Sequence, residues 1–227
     1  LAAGDTWVLD GPHNNALAHS VNFMCFVAGS TAEASAQPVS IRAELYRAKP
    51  IRTADTVAML ARTAEGVEIF FAVSHSAEEN RVPGFAVDTD TAVLDVGFDN
   101  SVTVRWKDGR PDEELIPATE VQEASSVEGA IARVGGDPSA KVCELEVARA
   151  QTLCTCGSFE SSPVRELPTD LHVEGPNGAV AIDGMSAAVQ AAFAEGRLFS
   201  DLGLDWAVPG EEIDLVDYRY FPTFRTL

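Results

Sequence analysis

His19 is the residue of this 227-residue chain best suited to chemistry. An imidazole titrates close to neutral pH, so it can take a proton from a hydroxyl group or return one. Asn15 lies four positions before it and Asn22 three after, a spacing that puts the three on one helix face. With Asn14 they make a surface that is polar but carries no fixed charge. An amide there can hold a ligand hydroxyl while the ring handles the proton. A second reading is open, in which His19 is a buried structural histidine bonded to Asn15 or to a backbone carbonyl. Spacing alone favours that second reading.

Other residues offer less. His13 and His19 are six positions apart and do not align on a helix, and no carboxylate completes a metal triad with them. Ser74-His75-Ser76 lacks a G-x-S-x-G elbow, and neighbours on a strand point to opposite faces. His172 sits in a Pro/Asp/Glu-rich stretch and reads as exposed. The acidic clusters Glu78-Glu79, Asp112-Glu113-Glu114 and Glu211-Glu212 lack apolar neighbours that would separate their pKa values for glycoside hydrolysis. Cys25, Cys143, Cys154 and Cys156 are too few for a disulfide framework, so reduced structural cysteines and a cytoplasmic setting are expected. Neither G-x-G-x-x-G nor G-x-x-x-x-G-K-[ST] occurs.

The elements that must position His19 follow from periodicity. Leu17, Val21, Met24 and Ala28 form an apolar stripe that predicts a helix over Asn14 to Ala28, entered at Gly11-Pro12 and ended by Gly29. Pro38 to Ala48 alternates as a strand. Thr56 to Arg62 and Val67 to Val73 read as a hairpin around Glu65-Gly66, and Ala92 to Val96 with Ser101 to Trp106 as another strand pair. Helical patterns return over Ser126 to Val134, Ala140 to Cys154 and Ser186 to Glu195, and the aromatic tail from Ile213 to Phe224 reads as a returning strand. Strands first and helices later give an α+β class. We expect an open, predominantly antiparallel sheet in one domain, residues 1–227, with helices on one face. The other face is then available for a second copy, as a homodimer or homotetramer.

Composition sets the outer bounds. Hydrophobic residues at 46% and charged ones at 22% belong to a folded protein. A formal charge of −19 disfavours nucleic acid and anionic membranes as partners. No run of about 18 apolar residues is present. Only Lys49, Lys107 and Lys141 supply lysine, which reads as a plainly acidic surface or as salt adaptation.

Taken in order, Trp7-Val8-Leu9-Asp10, Asn15, His19 and Gly29, followed by strands, resemble the C-terminal domain of the Gfo/Idh/MocA oxidoreductases, the relatives of glucose–fructose oxidoreductase and inositol dehydrogenase. In that family D-x-x-x-H opens the helix and a glycine closes it ten residues past the histidine, the separation of His19 and Gly29 here. Arg42-Ala43-Glu44-Leu45, Asp55-Thr56 and Gly66-Val67-Glu68 are similar to its sheet, and Ala187 to Trp206 to its late helix. The resemblance implies a substrate-binding and oligomerisation domain of an NAD(P)-dependent sugar or polyol dehydrogenase. His19 would be the proton donor or acceptor, with Asn15, Asn14 and Asn22 at the substrate. NAD or NADP would belong to an N-terminal Rossmann half carrying E-K-P, and both are absent from this chain. With Leu1 in place of a methionine, the chain reads as the C-terminal portion of a longer protein. Asn15 stands where the family has aspartate, which keeps two alternatives open: a non-catalytic sugar- or partner-binding member, and a purely structural dimerisation domain.

Overall fold

The computed structural model describes residues 2–3, 6–31, 33–97, 99, 101–115, 125–140 and 142–224. The chain divides into two compact units, Leu1–Glu79 with Cys143–Leu227, and Asn80–Val142. In chain order the first unit begins with the short strands β1 (Ala2–Ala3) and β2 (Thr6–Trp7), helix α1 (Ala18–Val27), and strands β3 (Pro38–Arg47), β4 (Thr56–Thr63) and β5 (Glu68–Ser74). The second unit holds β6 (Phe85–Asp88), β7 (Ala92–Val96), β8 (Val102–Trp106), β9 (Glu113–Leu115) and helix α2 (Ser125–Val134). The first unit then resumes with helix α3 (Leu145–Ser161), β10 (Val164–Glu166), β11 (His172–Glu174), β12 (Val180–Ile182), helix α4 (Met185–Glu195) and β13 (Ile213–Asp214).

The main sheet grows from β3, β4 and β5, an antiparallel meander in register Ala43↔Met59 and Met59↔Phe71. The free side of β3 is closed by β10, which pairs in parallel, and by β13, which pairs antiparallel. Alternation decides the two faces. Ile41, Ala43 and Leu45 of β3, Val57, Met59 and Ala61 of β4, and Ile69 and Phe71 of β5 pack with Val21 and Cys25 of α1 and with Ala150, Leu153 and Cys154 of α3. All four cysteines are free, and the Cys25 and Cys154 sulfurs touch at 3.9 Å inside this core.

The α+β class and the open antiparallel sheet agree with the sequence reading. The second face of the sheet differs from it. Tyr46 and Ala58, with the half-buried Leu60, Phe70 and Ala72, are covered by Met185, Ala188 and Ala192 of α4 and by Leu198 and Phe199. Trp206 stands edge-on to Tyr46 at 5.1 Å, and Phe199 lies 5.2 Å from Trp206. Helices therefore pack on both faces, and this chain supplies its own cover where the sequence suggested another copy. The reason is a segment after α4 that buries large side chains with no periodic pattern to announce them. Beneath it Glu44 is fully buried and accepts from the Tyr46 hydroxyl and from Ser200, and burial pushes its carboxyl pKa up. The tail is also shorter as a strand than read, two residues of β13 in place of Ile213 to Phe224.

The second unit carries the four-stranded antiparallel meander β6-β7-β8-β9. Arg105–Asp95 and Lys107–Asp88 pair across its strands, and the Arg110 guanidinium lies 3.7 Å from the Trp106 ring centre.

Two glycines let backbone and helix approach β3. A Cβ on Gly157 of α3 would come within 2.5 Å of the Ile41 Cγ2, so the helix rests directly on the strand. A Cβ on Gly210 would lie 1.9 Å from the Ala43 carbonyl oxygen and 2.6 Å from the Ser161 hydroxyl. That hydroxyl receives the Ala43 N–H at 2.8 Å and donates to the Glu211 carbonyl at 2.6 Å, so neither neighbour can move without losing a bond. Gly210→Ala is expected to cost about 2 kcal/mol, the usual range for overpacking a filled site. A urea titration of both proteins reads this as a lower midpoint with an unchanged slope.

Candidate functional site

The turn that leads into α1 is built from side chains reaching backward. Asp10 Oδ1 accepts the Gly11 N–H at 2.9 Å and the Asn15 amide at 3.3 Å. Asn14 Nδ2 donates to the Leu9 carbonyl at 2.5 Å. Asparagines that bond locally in this way compete with helical pairing. The helix accordingly starts at Ala18, not at Asn14, and Asn14 and Asn15 belong to the turn. Asn15 and His19 still come one after the other along the same approach to α1, and both are exposed.

The turn is tied to α3 by two links. Asn14 Oδ1 accepts from Gln151 Nε2 at 3.1 Å and from the Thr155 hydroxyl at 3.4 Å, and Gln151 Nε2 also reaches Thr155 at 3.1 Å. Deeper in, His13 is fully buried with its Nε2 2.8 Å from the Ser158 hydroxyl. Ser158 spends its own proton on the Thr155 carbonyl at 2.8 Å, so His13 Nε2 must be the donor. The proton is therefore on Nε2, and Nδ1 is left buried without a partner among the described residues. Burial pushes the His13 pKa down from 6.5 to about 4, against an opposing pull from Asp10. His13 is thus a neutral anchor inside the fold, and no local pattern announces it because Ser158 is far away along the chain.

The sequence-indicated residues take different positions. His19 is exposed on the first turn of α1, and no described residue hydrogen-bonds its ring, so the buried structural reading bonded to Asn15 does not describe it. Asn14 and Asn15 flank it in the network just described. Asn22 is half-buried one helical turn on, with its Oδ1 enclosed and unpartnered among the described residues. The exposed groups here are amides, hydroxyls and one imidazole, with Asp10 as the one carboxylate in the network. Such neutral donors and acceptors suit hydroxyl groups, not a metal ion or a phosphate.

No protein-family profile and no curated protein matches this chain. Solved structures with a similar course over part of it include the UDP-N-acetylglucosamine 3-dehydrogenase GnnA from Acidithiobacillus ferrooxidans, 19% identical with a TM-score of 0.46 over 54% of this chain and 39% of that one. The WlbA dehydrogenase from Bordetella pertussis, in complex with NADH and UDP-GlcNAcA, is 16% identical with a TM-score of 0.48 over 66% and 44%. An oxidoreductase from Agrobacterium radiobacter, in complex with NAD+, L-tartaric acid and magnesium, is 13% identical with a TM-score of 0.46 over 62% and 45%. Two of the three are named as dehydrogenases and the third as an oxidoreductase. This chain spans less than half the length of each of them.

The described residues do not fit a nicotinamide dinucleotide. Such a cofactor needs a glycine turn between a strand and a helix whose first N–H groups are open to its phosphates. The described turn of this form is Gly184, left-handed at φ 76° between β12 and α4. Its helix start is already taken: Glu78 Oε2 receives the Ser186 N–H at 2.7 Å and the Ser186 hydroxyl at 2.8 Å. A carboxylate sits where a phosphate would go.

Proposed function

We propose that this chain is the substrate side of a dehydrogenase-like protein acting on a sugar or polyol, with His19 as the group that exchanges the hydroxyl proton. The observation that carries the reading is an exposed imidazole with no hydrogen-bond partner among the described residues, standing beside a turn whose surface is amide and hydroxyl. Asn14 and Asn15 are held by Leu9, Asp10, Gln151 and Thr155, so the ligand meets positioned groups and little ordering is left to do on binding. Asn22 would extend that surface along α1. The chain's own share is to bind, orient and move one proton. The redox carrier, NAD or NADP, would be held by residues outside those described, since Glu78 already fills the helix start after Gly184. Self-association as a homodimer or homotetramer belongs to the same proposal.

His19→Ala in the intact gene product, assayed with NAD or NADP and a panel of polyols and sugar nucleotides, is expected to lower kcat by roughly 100-fold or more with little change in KM. An unchanged kcat removes the proton role. One observation favours a second reading, a binding member without catalysis. Position 15 carries a neutral amide, itself spent on Asp10, so it offers His19 no charge of its own. That reading predicts ligand binding by the unmodified protein with no turnover of any panel member.

A further inference from the structure

We infer that a cavity of about 300 Å³ beside the last turn of α3 binds a phosphate-bearing ring compound, its phosphoryl group on Arg52 and Arg47 and its ring between Trp7 and Phe159. Its lining includes Arg47, Arg52, Trp7, Phe159 and Ser162, and no Asp or Glu among the described residues. In a chain of net charge −19 that is an unusual balance. It has a local origin: of the 16 cationic residues, Arg42, Arg47, Lys49 and Arg52 fall within one short stretch that contains a single carboxylate, Glu44.

A structural role accounts for part of this charge. Arg47 donates to Glu166 Oε1 at 2.5 Å and to the Ile51 carbonyl at 3.0 Å, which clips β10 to β3. Arg165 donates to the Ser162 hydroxyl at 2.6 Å, near the carbonyl end of α3 where cations are favourable. Neither role extends to Arg52, which is exposed and has no hydrogen bond or ion pair with any described residue. Arg47 uses two of its five N–H donors in the bonds above and keeps others for a ligand. Two arginines lining one cavity supply the charge and the N–H donors that a phosphoryl group takes. Trp7, half-buried and edge-on to Phe221 at 5.2 Å, gives the ring a fixed surface. The volume lies at the lower end of ligand sites, which suits one ring and one phosphate and excludes a dinucleotide.

The inference does not rest on the proposed function, because none of its residues belongs to the His19 surface. Calorimetry on this chain with four probes tests it: uridine monophosphate, uridine, ribose 5-phosphate and inorganic phosphate. The expected order is the nucleotide first, ribose 5-phosphate next, phosphate weaker, and uridine undetectable, with affinity falling as salt rises. Arg52→Glu is expected to weaken the nucleotide roughly tenfold or more, and Arg52→Gln to do so less, with both variants folded by circular dichroism because the side chain is exposed. Trp7→Ala should bring the nucleotide down to the level of ribose 5-phosphate. Equal binding of the nucleotide and ribose 5-phosphate would keep the site and assign its ring to the sugar. Binding untouched by Arg52→Glu, phosphate as tight as the nucleotide, or no binding of any probe overturns the inference.

Discussion

Glu160→Ala is expected to lower the stability of the fold by about 3 kcal/mol or more and to release the chain after Tyr218. Glu160 is 3% exposed in the last turn of α3. One of its oxygens receives the Tyr218 hydroxyl at 2.9 Å and the Thr223 N–H at 2.5 Å, and the other receives the Phe224 N–H at 3.1 Å. A single buried carboxylate thus holds three donors from a segment that has no strand or helix of its own there. Bonds to a charged group contribute about 1.5–3 kcal/mol each, and a buried donor left alone costs about 1–3 kcal/mol. The backbone donors can reach water once the segment lifts. The Tyr218 hydroxyl, inside the core at 6% exposure, cannot. Its loss is the larger part. The carboxylate also holds the Tyr218 proton in place, since burial first and Glu160 second push the phenol pKa up. Denaturant titration measures the total, and hydrogen exchange at Thr223 and Phe224 shows whether the segment is released. Full protection there in the variant would show that Glu160 is not what holds it.

The second large effect is a pH dependence set by His13. Its pKa is about 4 in the folded chain and near 6.5 when unfolded. Between those values the unfolded chain binds more protons, so stability falls as pH drops through the window. Above about pH 7 the group contributes no slope. Across the whole window the loss approaches about 3 kcal/mol, from about 1.4 kcal/mol per unit of pKa. Many carboxylates titrate below pH 5, so the effect must be isolated by substitution. His13→Asn keeps a side-chain donor toward Ser158 and removes the titration. It is expected to be less stable than the parent at pH 7.5, with the gap narrowing steadily toward pH 4.5. Urea midpoints at four or five pH values test this, and a constant gap would show that His13 does not carry the slope.

The sheet was readable from the sequence wherever side chains alternate between two environments. Ile41, Ala43 and Leu45 face α3 while Glu44 and Tyr46 face the other way, and the strand pattern followed. Helix ends were less readable. The apolar stripe ran back to Asn14, but the Asn14 and Asn15 amides bond to Leu9 and Asp10 and delay the helix to Ala18. At α3 the error ran the other way. Gly157, Ser158 and Ser161 look like the end of a helix, yet Gly157 is needed for contact with Ile41 and Ser161 bonds Ala43. Tertiary contact outweighs intrinsic propensity there. β10 and β13 are three and two residues long and pair with a strand far away in the chain, so no local pattern could reveal them. For the candidate site, spacing favoured a buried His19 and put Asn15 on the helix, whereas the ring is exposed and Asn15 is held in the turn by Asp10. The His13–Ser158 anchor was not legible, because a buried polar pair between remote residues leaves no periodic trace. The arginines at the cavity did leave a signal, a cluster of positive charge in an acidic chain, hidden under the alternation of β3 and the loop after it.

The placement of β10 and β13 has a consequence during biosynthesis. β3, β4 and β5 leave the ribosome as consecutive hairpins and can zip together early, but both elements that complete β3 come from the last third of the chain. Until they arrive, β3 presents an unpaired edge with Ile41 and Leu45 beside it, a template for another nascent chain. Slowing elongation between Ser74 and Val164, by synonymous codons alone, should therefore raise the yield of aggregated product without altering a single contact of the finished protein.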